Sequence, residues 1–274
     1  MKRALSFLSL LLCITFAAAE TRFPIVPYPN KLVKGKGDFK FKAQLQVSFP
    51  KVFRTEIETL KVVFLEHFIQ LNPSDKGNIL VKVDSKLGAE AYTLDVNQTK
   101  ITIQVSSGAG LFYAFQTIRQ LLKMDGTGNY TIPVCTIEDE PAFSWRTYMF
   151  DDAKNFQGKE VVKQILDQMA LLKMNIFHWH LTEDSGWRLE IDRYPLLTQM
   201  GAWRDSTLLI AWRPDPKTGE LKRQNAGWDT ELRGGYYTKA DIREIVKYAS
   251  SRHIKIVPEI DMPGHTNSAL ASYA

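Results

Sequence analysis

The sequence is short of cysteine. It has two, and one of them, Cys13, sits in the first apolar stretch. The remaining thiol, Cys135, cannot close an internal disulfide, so the rest of the chain must fold on packing alone. Long hydrophobic runs are also lacking. The longest, Ala4 to Phe16, is shorter than the roughly 20 residues that span a bilayer. It follows Lys2 and Arg3 and runs into Ala17-Ala18-Ala19, the order of a secretory signal peptide over residues 1–19, cut before Glu20. The expectation is an exported protein, periplasmic or secreted, with no membrane attachment after cleavage. Cys13 is preceded by Leu10-Leu11-Leu12 with no small residue, which argues against lipid attachment. Charge of one sign is missing too: 35 Lys and Arg are mixed with 30 Asp and Glu, a net charge of +5. That leaves no basic stripe for nucleic acid and no polybasic patch for a membrane. Internal repeats and low-complexity segments are absent.

What is present falls into two parts. Up to about Leu122 the chain reads as short strands broken by two helices. "QLQVSF" (44–49) and "ITIQVS" (101–106) alternate as strands do, and "EIETLKVVFLEHFIQL" (56–71) has helical apolar spacing. "GAGLFYAFQTIRQLL" (108–122) is a second helix, and its glycines fit a strand-to-helix turn better than a phosphate loop, because the rest of that fingerprint is missing. An α+β domain over residues 20–140 is predicted. After the linker "IEDEPAF" (137–143) strands and helices alternate: "TYMFD" (147–151), a helix over 159–173, "NIFHWHLT" (175–182), a helix opened by Thr238 and Asp241, and "HIKIVPEID" (253–261). A polar excursion with Trp203, Trp212 and Trp228 interrupts this rhythm, as a loop over the mouth of a site would. The pattern predicts a parallel sheet, and residues 141–274 read as the first part, about three βα units, of a (β/α)₈ barrel.

In such a barrel the face toward the helices must be apolar, so polar side chains at the C-terminal strand ends line the mouth. Three clusters fall there: Asp151, Asp152 and Lys154 on the first strand; His180, Glu183 and Asp184 on the second; Glu259, Asp261 and His265 on the third. His178 and His180 share one face. Each cluster has a plainer reading. The histidines fit hydrogen-bonded core residues, Trp179 and Trp187 fit packing, and Glu183 and Asp184 fit either a substrate network or a salt bridge to Arg188 or Arg204.

"WRTYMFDDAKNF" (145–156), "NIFHWHLTEDSGWRLEIDRYPLLTQMGAWR" (175–204), "GGYYTKADIREIVKYASSRHIKIVPEIDMPGH" (234–265) and "EAYTLDVNQTKITIQVSSGAGLFYAFQTIRQLL" (90–122) closely resemble the family 20 glycoside hydrolases, the exo-β-N-acetylhexosaminidases. The resemblance covers nearly all of the chain after the signal peptide. It implies removal of terminal non-reducing β-linked N-acetylhexosamine from oligosaccharides or glycoconjugates, with retention of configuration and no cofactor or metal. The substrate's own acetamido oxygen would attack the anomeric carbon, a departure from the two-carboxylate scheme. A glutamate would protonate the leaving oxygen, and the aspartate before it would hold the acetamido group.

In the family that Asp-Glu pair ends the fourth barrel strand, beyond Pro-Gly-His. It is expected beyond Ala274, so the chain on its own is expected to be inactive. The acids of "TED" (182–184) and "PEID" (258–261) match the second and third strand motifs and are not that pair. What the resemblance implies within the chain is a supporting network. Lys154 aligns with the sugar-binding arginine of the family's D-x-x-R-x-F motif, and Glu183 with the first acid of H-W-H-L-x-D-D. His265 aligns with the histidine that links this acid to the catalytic glutamate, and Asp184, His180 and Asp261 line the same mouth. Lysine keeps the charge but lacks the planar fork, and a longer acid opposite it would compensate. Two other readings stay open: a catalytically dead fragment or sugar-binding module, and metal-assisted hydrolysis through His178, His180, Glu259, Asp261 and His265.

Overall fold

The structure, a computed structural model, describes residues 22–66 and 69–274. The expected signal peptide lies outside them. The first part contains β1 (Lys31–Lys40), β2 (Gln44–Ser48), α1 (Arg54–Leu65), β3 (Gln70–Pro73), β4 (Ile79–Val83), β5 (Tyr92–Val96), β6 (Ile101–Val105), α2 (Gly108–Leu121), β7 (Lys123–Met124) and β8 (Tyr130–Asp139). These strands form one mixed sheet in the order β1-β8-β5-β6-β4-β2-β3, with β7 paired to β8. The helix expected over 56–71 stops at Leu65. Ile69 and Leu71 are buried at strand spacing, and β3 pairs in parallel with β2. Apolar residues that continue a helical rhythm there serve the edge of the sheet instead.

Helix α2 begins at Ser107, whose hydroxyl accepts the Ala109 N–H. A Cβ on Gly110 would collide with the Ala91 carbonyl, so glycine lets the helix lie close on the chain entering β5. Nearly all of α2 is buried, because one side packs on the sheet and the other meets the first helix of the second part.

That second part contains β9 (Thr147–Asp151), α3 (Lys159–Leu171), β10 (Ile176–His180), the small pair β11 (Thr182–Glu183) and β12 (Gly186–Trp187), and α4 (Leu196–Gln199). It continues with β13 (Trp203–Arg204), β14 (Thr207–Pro214), β15 (Leu221–Asp229), β16 (Arg233–Gly234), α5 (Lys239–Ser250), β17 (Lys255–Glu259) and α6 (Asn267–Tyr273). Strands β9, β10 and β17 are parallel neighbours in the order β17-β10-β9, joined through α3 and α5. This is the first part of a (β/α)₈ barrel. Phe177 and Trp179 are buried on the helix side, as the strand pattern requires. Helix α5 opens with a full capping box, Thr238 and Asp241 each satisfying the other's backbone N–H. The tryptophan-bearing excursion is an antiparallel hairpin, β14 with β15, flanked by the β13–β16 pair. The side chains of Trp212 and Trp228 lie outside the described residues.

The register decides what meets at the mouth. Asp151, His180 and Glu259 stand in one row across the three strand ends, and Met149, His178 and Val257 form the row two residues below. Among the described residues no helix is long and apolar enough to cross a membrane.

Candidate active site

The loops leaving the strand ends are held by two buried charged residues. Asp152 is fully buried and accepts the Gln157 N–H at 2.8 Å, the Trp179 indole N–H at 3.2 Å and the Tyr237 hydroxyl. Burial pushes its carboxyl up even though all three donors pull the other way. Arg188, 1% exposed, donates to the carbonyls of Asp152, Ala153, Ala202 and Gly235 at 2.6–3.2 Å. It thereby ties the loop after β9, the chain before β13 and the chain before α5 to one guanidinium. Burial and the nearby Arg204 pull its pKa down to about 10, and it stays protonated at neutral pH. The salt bridge from Glu183 or Asp184 to Arg188 or Arg204 therefore does not form with Arg188, whose fork is spent on carbonyls. Arg204 Nη1 donates to the carbonyls of Lys154 (2.6 Å) and Ser185 (3.3 Å), so it too holds backbone.

On this frame the residues singled out in the sequence converge. Lys154 Nζ lies 2.9 Å from Asp151 Oδ2 and 3.4 Å from Glu183 Oε1. Glu183 Oε2 is 3.2 Å from His265 Nδ1 and also accepts the Asp184 N–H. One carboxylate from the second strand loop is thus shared between a cation from the first and an imidazole from the third. Burial raises the Glu183 carboxyl, but the Asp184 N–H, His265 and Lys154 outweigh it and hold it below its ordinary value. The hydrogen bond to Asp151, strengthened by Glu183, holds the Lys154 ammonium above its own. Asp184 Oδ2 is 3.8 Å from His265 Nδ1, and its Oδ1 accepts the Asn267 N–H at 3.2 Å, which docks the start of α6. The Ser268 hydroxyl donates to the Glu183 carbonyl at 2.7 Å.

A second cluster sits beside it. His180 Nδ1 is 2.9 Å from Glu259 Oε1, and His178 Nε2 meets the other oxygen of the same carboxylate. The Asp261 N–H donates to Thr182 Oγ1 at 3.0 Å. The hydrogen-bonded reading of both histidines is the arrangement found. Glu259 joins them because strand register sets it opposite His180, whereas Asp151 pairs locally with Lys154, three residues further along the same strand end. The sequence puts both acids in their strand-end clusters, but the pairing of Glu259 needed the register. Of the residues weighed as metal ligands, His180, Glu259 and Asp261 have donor atoms within 4.8 Å of one another, while His265 groups instead with Glu183 and Asp184, and His178 falls in neither set. Either set could hold a divalent ion. The carboxylates of Glu259, Glu183 and Asp184 already carry hydrogen bonds from the protein.

Two models of one family match the chain: "Glycosyl hydrolase family 20, domain 2" over residues 22–140 and "Glycosyl hydrolase family 20, catalytic domain" over 143–274. Among curated relatives, a beta-hexosaminidase of Vibrio furnissii is 37% identical over 248 residues, covering 90% of the chain and 38% of that protein. An N,N'-diacetylchitobiase of Vibrio harveyi is 42% identical over 183 residues, covering 66% of the chain and 20% of that protein. Among solved structures, a GH20 exo-beta-N-acetylglucosaminidase from Vibrio harveyi in complex with N-acetylglucosamine is 34% identical with a TM-score of 0.80, covering 91% of the chain and 38% of that structure. A beta-hexosaminidase variant of Streptomyces plicatus in complex with GlcNAc aligns with a TM-score of 0.76 over 48% of its own length. The chain thus spans less than half the length of each of these proteins.

Proposed function

The chain belongs to glycosyl hydrolase family 20, and from that membership we propose that it supplies the substrate-holding side of a β-N-acetylhexosaminidase. The substrates are oligosaccharides or glycoconjugates ending in β-linked N-acetylhexosamine. The observation that carries this reading is the Glu183 carboxylate shared between Lys154 at 3.4 Å and His265 at 3.2 Å at the strand-end face. Lys154 and Glu183 hold sugar hydroxyls, the ammonium as donor and the carboxylate as acceptor. His265 carries the Glu183 charge toward the general acid and tunes its pKa. Asp184, His180 and Asp261 shape the same mouth.

The general acid and the aspartate before it are the pair that ends the fourth barrel strand in the family. They are not Glu183, Asp184, Glu259 or Asp261, which stand in the clusters at the ends of β10 and β17, the second and third barrel strands. The acetamido group of the substrate is the nucleophile, and configuration is retained. The charged head, apolar core and alanine triplet of residues 1–19 support export.

The test uses the protein from its full reading frame with two aryl β-glycosides that differ only in the acetamido group. Turnover of the N-acetylglucosaminide with at least a hundredfold preference over the glucoside is expected, because the glucoside has no internal nucleophile. Comparable turnover of both would sink the acetamido-assisted reading. Loss of activity on chelation, restored by zinc, would favour the metal-assisted one.

A further inference from the structure

The two helix-to-strand turns at the end of the barrel segment opposite the mouth are built alike. At the first, Lys173 has φ 58°, its N–H donates to the Ala170 carbonyl at 3.1 Å, and the Met174 N–H donates to the Met169 carbonyl at 2.9 Å. At the second, His253 has φ 57°, its N–H donates to the Ser250 carbonyl at 3.0 Å, and the Ile254 N–H donates to the Ala249 carbonyl at 3.0 Å. Both are the two-bond helix ending whose left-handed residue is usually glycine, since a Cβ is strained there. Neither residue is glycine.

Both side chains turn into the N-terminal domain instead. Lys173 is buried, with Nζ 2.8 Å from Asp139 Oδ2 and 2.9 Å from the Tyr92 hydroxyl. His253 Nε2 is 3.7 Å from Glu56 Oε1, and its ring centre is 5.5 Å from that of Phe112. Helix α2 reaches both turns: Phe112 meets His253, and Gln120 Nε2 donates to the Leu171 carbonyl at 2.8 Å. Between the turns, Glu90 accepts from Arg146 at 2.8 and 3.1 Å and from Asn175 at 3.2 Å, the residues just before β9 and β10. Burial lowers the Lys173 ammonium from its ordinary value against the pull of Asp139.

We propose that Lys173 and His253 form a two-point latch, standing at strained turn positions because their side chains lock the N-terminal domain onto the lower ends of β10 and β17. The domain thereby sets the position of the strands whose upper ends carry the site. Strain at one turn needs no explanation beyond local packing. The same strain at matching positions in successive units, with both side chains entering one domain, is explained by the latch.

The test replaces each residue with asparagine, which accepts the left-handed conformation but cannot reach across. In the protein from its full reading frame, Lys173→Asn and His253→Asn are each expected to lower the urea midpoint. The double variant is expected to be cleaved in segment 140–146 at least tenfold faster by a limiting protease. Midpoints unchanged or raised, the outcome of relieving turn strain alone, overturn the proposal. On the sheet side, Asp139→Asn should remove most of the effect of Lys173→Asn, and additive effects would also overturn it. Hydrogen exchange of the unaltered protein needs no variant to fold. Amides of Met174 and Ile254 should exchange only with global unfolding, and exchange through local fraying of these turns would contradict the latch.

Discussion

Lys154 and Glu183 hold the account at the scale of single residues. A lysine offers a point charge on a flexible stem where the family resemblance implies a planar arginine fork, and here it reaches two carboxylates at once. If the longer acid compensates for the lost fork, Lys154→Arg and Glu183→Asp should each lower kcat/KM by roughly tenfold, about 1.4 kcal/mol. The double exchange should then recover activity above either single variant. Neutral singles would refute the pairing. Glu183 also makes a stability prediction. Its folded pKa is held below the ordinary value of 4.5, so the unfolded chain binds its proton first as pH falls. The stabilisation is complete above about pH 4.5 and is lost as pH drops through the folded pKa. Urea midpoints measured from pH 7 to pH 3 should therefore fall more steeply for the native protein than for Glu183→Gln, and parallel curves would show that the network contributes nothing.

Elements are where sequence and structure part company most instructively. Strands β9, β10 and β17 were legible because their helix-facing residues are apolar and their polar residues cluster at one end. The convergence of Lys154, Glu183 and His265 was legible as a consequence. The pairing of Glu259 with both histidines was not, since it depends on which strand lies beside which. The helical rhythm runs past the end of α1 because Ile69 and Leu71 extend it, although they lie just before and within β3. The sequence leaves open a salt bridge from Glu183 or Asp184 to Arg188 or Arg204, but the four carbonyls that Arg188 binds come from loops far apart in sequence and leave no trace in local pattern. That residue yields a prediction at this scale: Arg188→Met removes the donors of several buried carbonyls and should destabilise the protein by about 3 kcal/mol or more. A thermal midpoint within a degree of the native value would show that the loops hold without it.

For the molecule as a whole, the N-terminal sheet and the βα units share one core through α2, while the parallel sheet keeps two open edges at β9 and β17. Tyr148, Met149 and Leu172 lie exposed on the β9 side. Residues 20–274 produced alone should self-associate in size-exclusion chromatography and leave aryl N-acetylglucosaminides intact; a monodisperse, active product would overturn this. The most direct test of the account is kcat/KM on an aryl β-N-acetylglucosaminide for the protein from its full reading frame and its Glu183→Gln variant. We expect turnover by the native protein and a loss of about a hundredfold in the variant, with the fold intact by circular dichroism. A variant as active as the native protein would contradict the assignment of Glu183 and the strand-end network to the substrate.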